Sequence, residues 1–220
     1  MVIAPPRRAS IGGVTFVELL AVLVILLILA GLVIPGLQGM LGSSNLKGSS
    51  GTLLAQLDLA RQTASTRNLP VDVRLYQDTT KPLDSNGNSP YRILATVVPA
   101  SANASGNDEF LAAPQGLPGD VIIDSNPLYS SLLNTGLGAV GLRPVAATEL
   151  ASAPMSVRNL PYIQFVFLPS GTANLDISQK WCLTLINKNT ALKNATSTPG
   201  SNFVTLVLNP QTSHAWMYQP

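Results

Sequence analysis

Apolar and polar positions first separate at Val14. From there to residue 34 the only charged side chain is Glu18, and residues 19–34 (LLAVLVILLILAGLVI) carry none. Twenty-one residues at roughly 1.5 Å each make about 30 Å of helix, the thickness of a bilayer's hydrocarbon core. The pattern predicts a transmembrane helix over residues 14–35, with Pro35 as the position of a kink. Gly36, Gly39 and Gly42 then weaken the helix. A second helical period follows, with Leu46, Leu53, Leu57, Ala60 and Ala64 on one stripe and Lys47, Asp58, Arg61 and Arg67 largely off it. That is an amphipathic helix over residues 36–69, whose stripe packs on a core rather than on a cofactor.

Beyond Pro70 the period changes to two. Strands are expected over 71–77, 91–98, 162–168, 180–187, 203–209 and 214–218, each short and bounded by turn residues. Between residues 99 and 160 the alternation fails and Pro, Gly, Ala, Ser and Asn dominate. Only DVIID (120–124) is strand-like, and so long a connection reads as a surface insertion with one added strand or short helix, and as a place for subunit contacts.

Charge alters this picture at the N-terminus. Arg7 and Arg8 are the only charges before the apolar run, and no acid accompanies them. Basic residues there hold that end in the cytoplasm, so the chain is expected as a single-pass inner-membrane protein with a periplasmic C-terminal domain. A cleaved signal peptide shares this polarity, but small-x-small sites after the apolar core are poor. Without residues 1–13 the formal charge of +2 falls to zero, which gives no electrostatic bias towards nucleic acid.

Candidate chemistry is sparse. One cysteine, Cys182, excludes an intramolecular disulfide, and one histidine, His214, leaves no zinc set. No G-x-S-x-G, H-E-x-x-H, phosphate loop or G-x-G-x-x-G is present, so neither catalytic residues nor a cofactor or metal are expected. Glu18 is the notable group. An acid in an apolar span is costly unless partnered, while the first turn of a helix favours it.

Gly13 followed by VTFVELL resembles the processing site of type IV prepilins and pseudopilins. The resemblance implies a leader over 1–13, cleavage between Gly13 and Val14 by a prepilin peptidase, and N-methylation of Val14. Glu18 would then be the fifth mature residue, assigned to assembly by pairing with the amine of an adjacent subunit's Val14. Phe or Met is commoner than Val at the new N-terminus. Further on, Ala60-Arg61, Asn68, Pro70 and Val71 resemble the helix-to-strand turn of GspH/FimT-like minor pseudopilins. FVFLPSGT (165–172) is similar to the group's strand and Pro-x-Gly turn. The closing hairpin is similar as well, though its usual Thr-Gly-Arg is here Thr212-Ser213-His214. The long insertion, the strand bearing Trp181 and the Tyr-Gln-Pro end are also similar to cassette-encoded prepilin-like proteins of verrucomicrobial genomes.

The expected fold class is α+β: a long N-terminal transmembrane and amphipathic helix packed on an antiparallel, pilin-like β-domain spanning 70–220. The expected function is a structural minor pilin or pseudopilin subunit of a type IV pilus or type II secretion-like system. Its expected partners are the prepilin peptidase, other pilin or pseudopilin subunits and the inner membrane, with no nucleic acid. The alternatives are a DNA-binding minor pilin for DNA uptake, and a membrane-anchored periplasmic enzyme or binding protein. The absence of Lys and Arg from residue 194 onwards lowers the DNA-binding alternative.

Overall fold

The computed structural model describes residues 15–83, 87, 89–133, 153–188 and 202–219, with side chains at all of these except 30 and 32–41. Helical backbone covers α1 (Phe16–Arg67). The chain divides inside α1 into two compact units, Met1–Leu41 and Gly42–Pro220. Among the described residues nine strands follow: β1 (Val71–Gln77), β2 (Tyr91–Val98), β3 (Glu109–Phe110), β4 (Gln115–Gly116), β5 (Val121–Ile123), β6 (Tyr162–Phe167), β7 (Trp181–Asn187), β8 (Phe203–Leu208) and β9 (Ala215–Tyr218).

The strands form one antiparallel sheet in the order β6-β1-β2-β5-β7-β8-β9, with β3 and β4 also paired to β2. The long strands sit where the two-residue alternation placed them. In the stretch from 99 to 160 the described residues hold β3, β4 and β5. Its strand β5 joins β2 to β7 inside the sheet, and Val121, Ile122 and Ile123 are all buried.

Within the second unit, α1 turns Leu46, Leu53, Leu57, Ala60 and Ala64 onto a core with Val73, Leu75, Phe165, Trp181, Leu183 and Leu206. Ser49 and Ser50 lie on the same buried side and satisfy their hydroxyls on the helix's own carbonyls, Asn45 at 2.7 Å and Lys47 at 2.9 Å. Gly119 has φ 59°, a conformation other side chains rarely adopt, and a Cβ there would stand 2.5 Å from the Asn45 side-chain nitrogen, which would have to move. Asn68, at φ 54°, ends α1 in the left-handed conformation that commonly closes helices, ahead of Pro70 and β1.

Two expectations are corrected. A long transmembrane helix packed as one body on a sheet does not describe this fold. No helix among the described residues is long and apolar enough to cross a membrane, and the helical side chains in the sheet's core, Leu46 to Ala64, belong to the second unit. The single-pass inner-membrane placement fails with it.

Candidate functional site

Of the residues singled out in the sequence, Gly13 and Val14 lie outside the described residues. Glu18 sits in the first turn of α1, where it forms a reciprocal cap with Thr15. The Thr15 backbone N–H and hydroxyl both donate to Glu18 Oε2, each at 3.1 Å, and the Glu18 N–H donates to Thr15 Oγ1 at 3.3 Å. This is a capping box, and it satisfies amides that have no partner inside the helix. The spacing Thr-x-x-Glu ahead of an apolar run is its signature in sequence, so this role was readable there and was missed. Pro35 lies within α1, and helical backbone continues on either side of it.

Around this cap the helix is apolar and uncovered. Phe16 is 80% exposed, and Val17, Leu19, Leu20 and the large residues from 22 to 29 are exposed as well. The exposure falls on consecutive positions, so it covers every side of the helix rather than one stripe.

The second unit holds a buried charged cluster on the sheet face opposite α1. Along β1, Val71, Val73 and Leu75 face the helix, and Asp72, Arg74 and Tyr76 face the other way. The Arg74 guanidinium donates to Asp72 at 3.1 Å and to Asp108 at 2.5 Å, and its carbon lies 5.1 Å from the Tyr162 ring centroid. Burial works against the charge on Arg74. The Asp108 hydrogen bond and the fields of Tyr162, Asp108 and Asp72 outweigh it and raise its pKa. Burial likewise raises the Tyr76 pKa, and it pushes Tyr91 up to about 12 against the lowering effect of Gln77.

Asp108 also accepts the Ala100 N–H at 2.8 Å, and neighbouring Glu109 accepts from Arg67 at the end of α1 at 2.7 Å. The 100–109 loop is thus tied to both faces of the sheet. In sequence Arg74 alternates with the apolar Val73 and Leu75. The structure buries it to 3% exposure, because the strand's second face is covered by Phe110, Ala153, Val157 and Leu160.

Other polar features are committed to structure. Arg92 donates to the carbonyls of Val121, Leu117 and Gly119, at the wall of an open cleft of about 320 Å³ shared by Lys81, Asp78, Asp120 and Ser156. Cys182 is half-buried beside Ser131, whose hydroxyl accepts the Cys182 N–H at 2.9 Å. His214 is exposed and its ring stacks on Trp216, with centroids 6.5 Å apart. Among the described residues no group of three His, Cys, Asp or Glu is placed to hold a metal.

No protein-family model, curated protein or solved structure matches the chain.

Proposed function

We propose that the protein is a structural subunit of a pilus or pseudopilus-type assembly, matured from a prepilin by cleavage after Gly13. The observation that carries this reading is the uncovered apolar surface of α1 over residues 16–29, capped by Thr15 and Glu18. A helix that is apolar on all sides belongs in the interior of something larger. Packed helices of further subunits supply that interior. Glu18 Oε2 takes both hydrogen bonds from Thr15. Its other oxygen is the acceptor we assign to the terminal amine of Val14 in a neighbouring subunit. Such buried ion pairs are best attested as devices that fix register.

The prepilin-like residues Gly13, Val14 and Glu18 supply the processing step, and the partners are a prepilin peptidase and other subunits of the same class. Intact-mass analysis of the native protein tests the reading. The expected species begins at Val14 and carries one added methyl group. A mature N-terminus at or beyond Gly31, or an intact residue 1, overturns it.

A further inference from the structure

The two edges of the sheet are finished differently. On β6 the Val166 N–H donates to Asn174 Oδ1 at 2.7 Å, and its carbonyl accepts the Asn174 N–H at 2.9 Å, so a side chain plugs the edge at its centre. On β9 no such plug exists among the described residues. The Asn209 N–H bonds the His214 carbonyl at 2.9 Å, and the register sets Val207 against Trp216 and Thr205 against Tyr218. In an antiparallel ladder alternate residues bond to the neighbour, so 214, 216 and 218 face β8 while Ala215 and Met217 turn their N–H and C=O groups outward.

We propose that β9 pairs with β9 of a second copy, antiparallel and about a two-fold axis at Trp216. A second copy fits for three reasons. In that register Ala215 meets Met217 of the other chain and Met217 meets Ala215, so the outward backbone groups satisfy one another reciprocally, as an isologous contact requires. His214, Trp216 and Tyr218 share one face of the strand. The two-fold places Trp216 beside its own counterpart and His214 beside Tyr218, an aromatic ladder of the kind that stabilises cross-strand pairs. Finally, residues 202–219 contain no Lys, Arg, Asp or Glu, so self-pairing brings no like charges together.

Trp216 is 45% exposed, Met217 40% and Tyr218 57%, which is the surface such a contact covers. A four-residue edge falls below the roughly 1,000 Å² of a stable interface, so the pairing is weak alone and is best captured covalently.

The test uses the full chain with Cys182→Ser, dispersed in mild detergent, carrying either His214→Cys or Tyr218→Cys. These positions face each other across the two-fold as a non-hydrogen-bonded pair, with Cα atoms about 4.5 Å apart, within reach of a disulfide. Mild oxidation of the two variants mixed is expected to give a disulfide-linked heterodimer, and each variant alone is expected to stay monomeric. Met217→Pro removes one outward N–H without touching the bonds to β8, and Trp216→Lys sets two cations face to face. Either change is expected to abolish the cross-link. No heterodimer, equal cross-linking of each variant with itself, or cross-linking that survives both changes would overturn the proposal.

Discussion

Glu18 and Thr15 hold each other at the start of α1: both Thr15 donors reach Glu18 Oε2 at 3.1 Å, and the Glu18 amide returns a bond to Thr15 Oγ1 at 3.3 Å. The acid in the apolar run therefore has a local task before any partner arrives. Capping and interchain pairing make separable predictions. Thr15→Ala should cost about 1 kcal/mol of local helix stability, seen as faster amide exchange over the first turn. Glu18→Gln keeps an acceptor for the cap but discards the charge. It should leave exchange there nearly unchanged and still reduce incorporation into a sheared filament fraction. Equal assembly of Glu18→Gln and parent would reject the pairing role and leave only the cap.

Arg74 is expected to be among the most sensitive positions in the sheet unit. Its side chain is 4% exposed and lies between Asp72 and Asp108, which are 5% and 12% exposed. Arg74→Met removes the only cation of the group and strands two carboxylates in a low-dielectric site. Breaking a buried pair in this way costs about 3–5 kcal/mol. Urea unfolding of the sheet unit should show that loss as a lower midpoint at similar slope. Loss of amide protection over residues 100–110 should accompany it, because Asp108 anchors that loop. A change below about 1 kcal/mol would mean the cluster is solvated in solution.

The contrast between Arg74 and the long strands shows what the sequence makes readable. Strands β1, β2, β6, β7, β8 and β9 announce themselves as apolar, β-branched or aromatic runs between turn residues, whether one face is buried, as in β8, or both, as in β1. Leu46, Leu53, Leu57, Ala60 and Ala64 are equally plain, since a helix on a sheet must present a stripe. Strands β3 and β4 have two residues each, too few for any period, while β5 shows as the apolar centre of DVIID although its place inside the sheet does not. The Asp72-x-Arg74 alternation looks like a solvated face, and only Asp108, thirty-four residues away in sequence, reveals otherwise. At the candidate site the Thr-x-x-Glu spacing was legible. The membrane placement was drawn from the apolar run, the arginines before it and the prepilin resemblance, and no helix among the described residues is long and apolar enough to cross a membrane.

Ser213 occupies the place where the resembling hairpins carry glycine. It has φ 53°, is 2% exposed, and its hydroxyl is buried without a hydrogen-bond partner. A left-handed conformation costs a non-glycine residue about 1–2 kcal/mol, and an unsatisfied buried hydroxyl adds to that. Glycine at 213 should therefore stabilise the sheet unit by about 1 kcal/mol, reduced by the entropy glycine gives the unfolded chain. Ser213→Ala relieves the hydroxyl but not the backbone, and should gain less than glycine. Thermal unfolding of the two variants checks the order, and Ala at or above Gly would count against the turn geometry.

Alkaline stability follows from the tyrosines. Burial raises the Tyr91 pKa from an ordinary value near 10 to about 12, and Tyr76 shifts in the same direction. A raised tyrosine pKa means the unfolded chain gives up the proton first. The contribution is whole below about pH 10 and is lost as pH climbs towards 12. Chemical unfolding should show falling stability across that window, and Tyr91→Phe should flatten the fall. An absorbance titration placing every tyrosine near 10 would show that these rings are open to solvent.

Nucleic-acid binding is the sharpest way to separate the structural reading from a DNA-uptake one. Non-specific affinity for DNA rests on lysines and arginines free to meet phosphates. In the sheet unit Arg61 stands 3.7 Å from Asp58, Arg67 is bound to Glu109, and Arg74 is enclosed by two aspartates. Arg92 and Arg158 are spent on backbone carbonyls, and Lys188 donates to the Pro82 carbonyl at 3.2 Å. Freeing any of these for a phosphate means breaking a bond already made, and for Arg74 it means opening the core. We therefore expect the full chain to bind duplex DNA weakly or not at all at physiological salt. Fluorescence anisotropy with a labelled duplex reads this directly. A tight complex that weakens steeply as salt is added would promote DNA capture over the structural role.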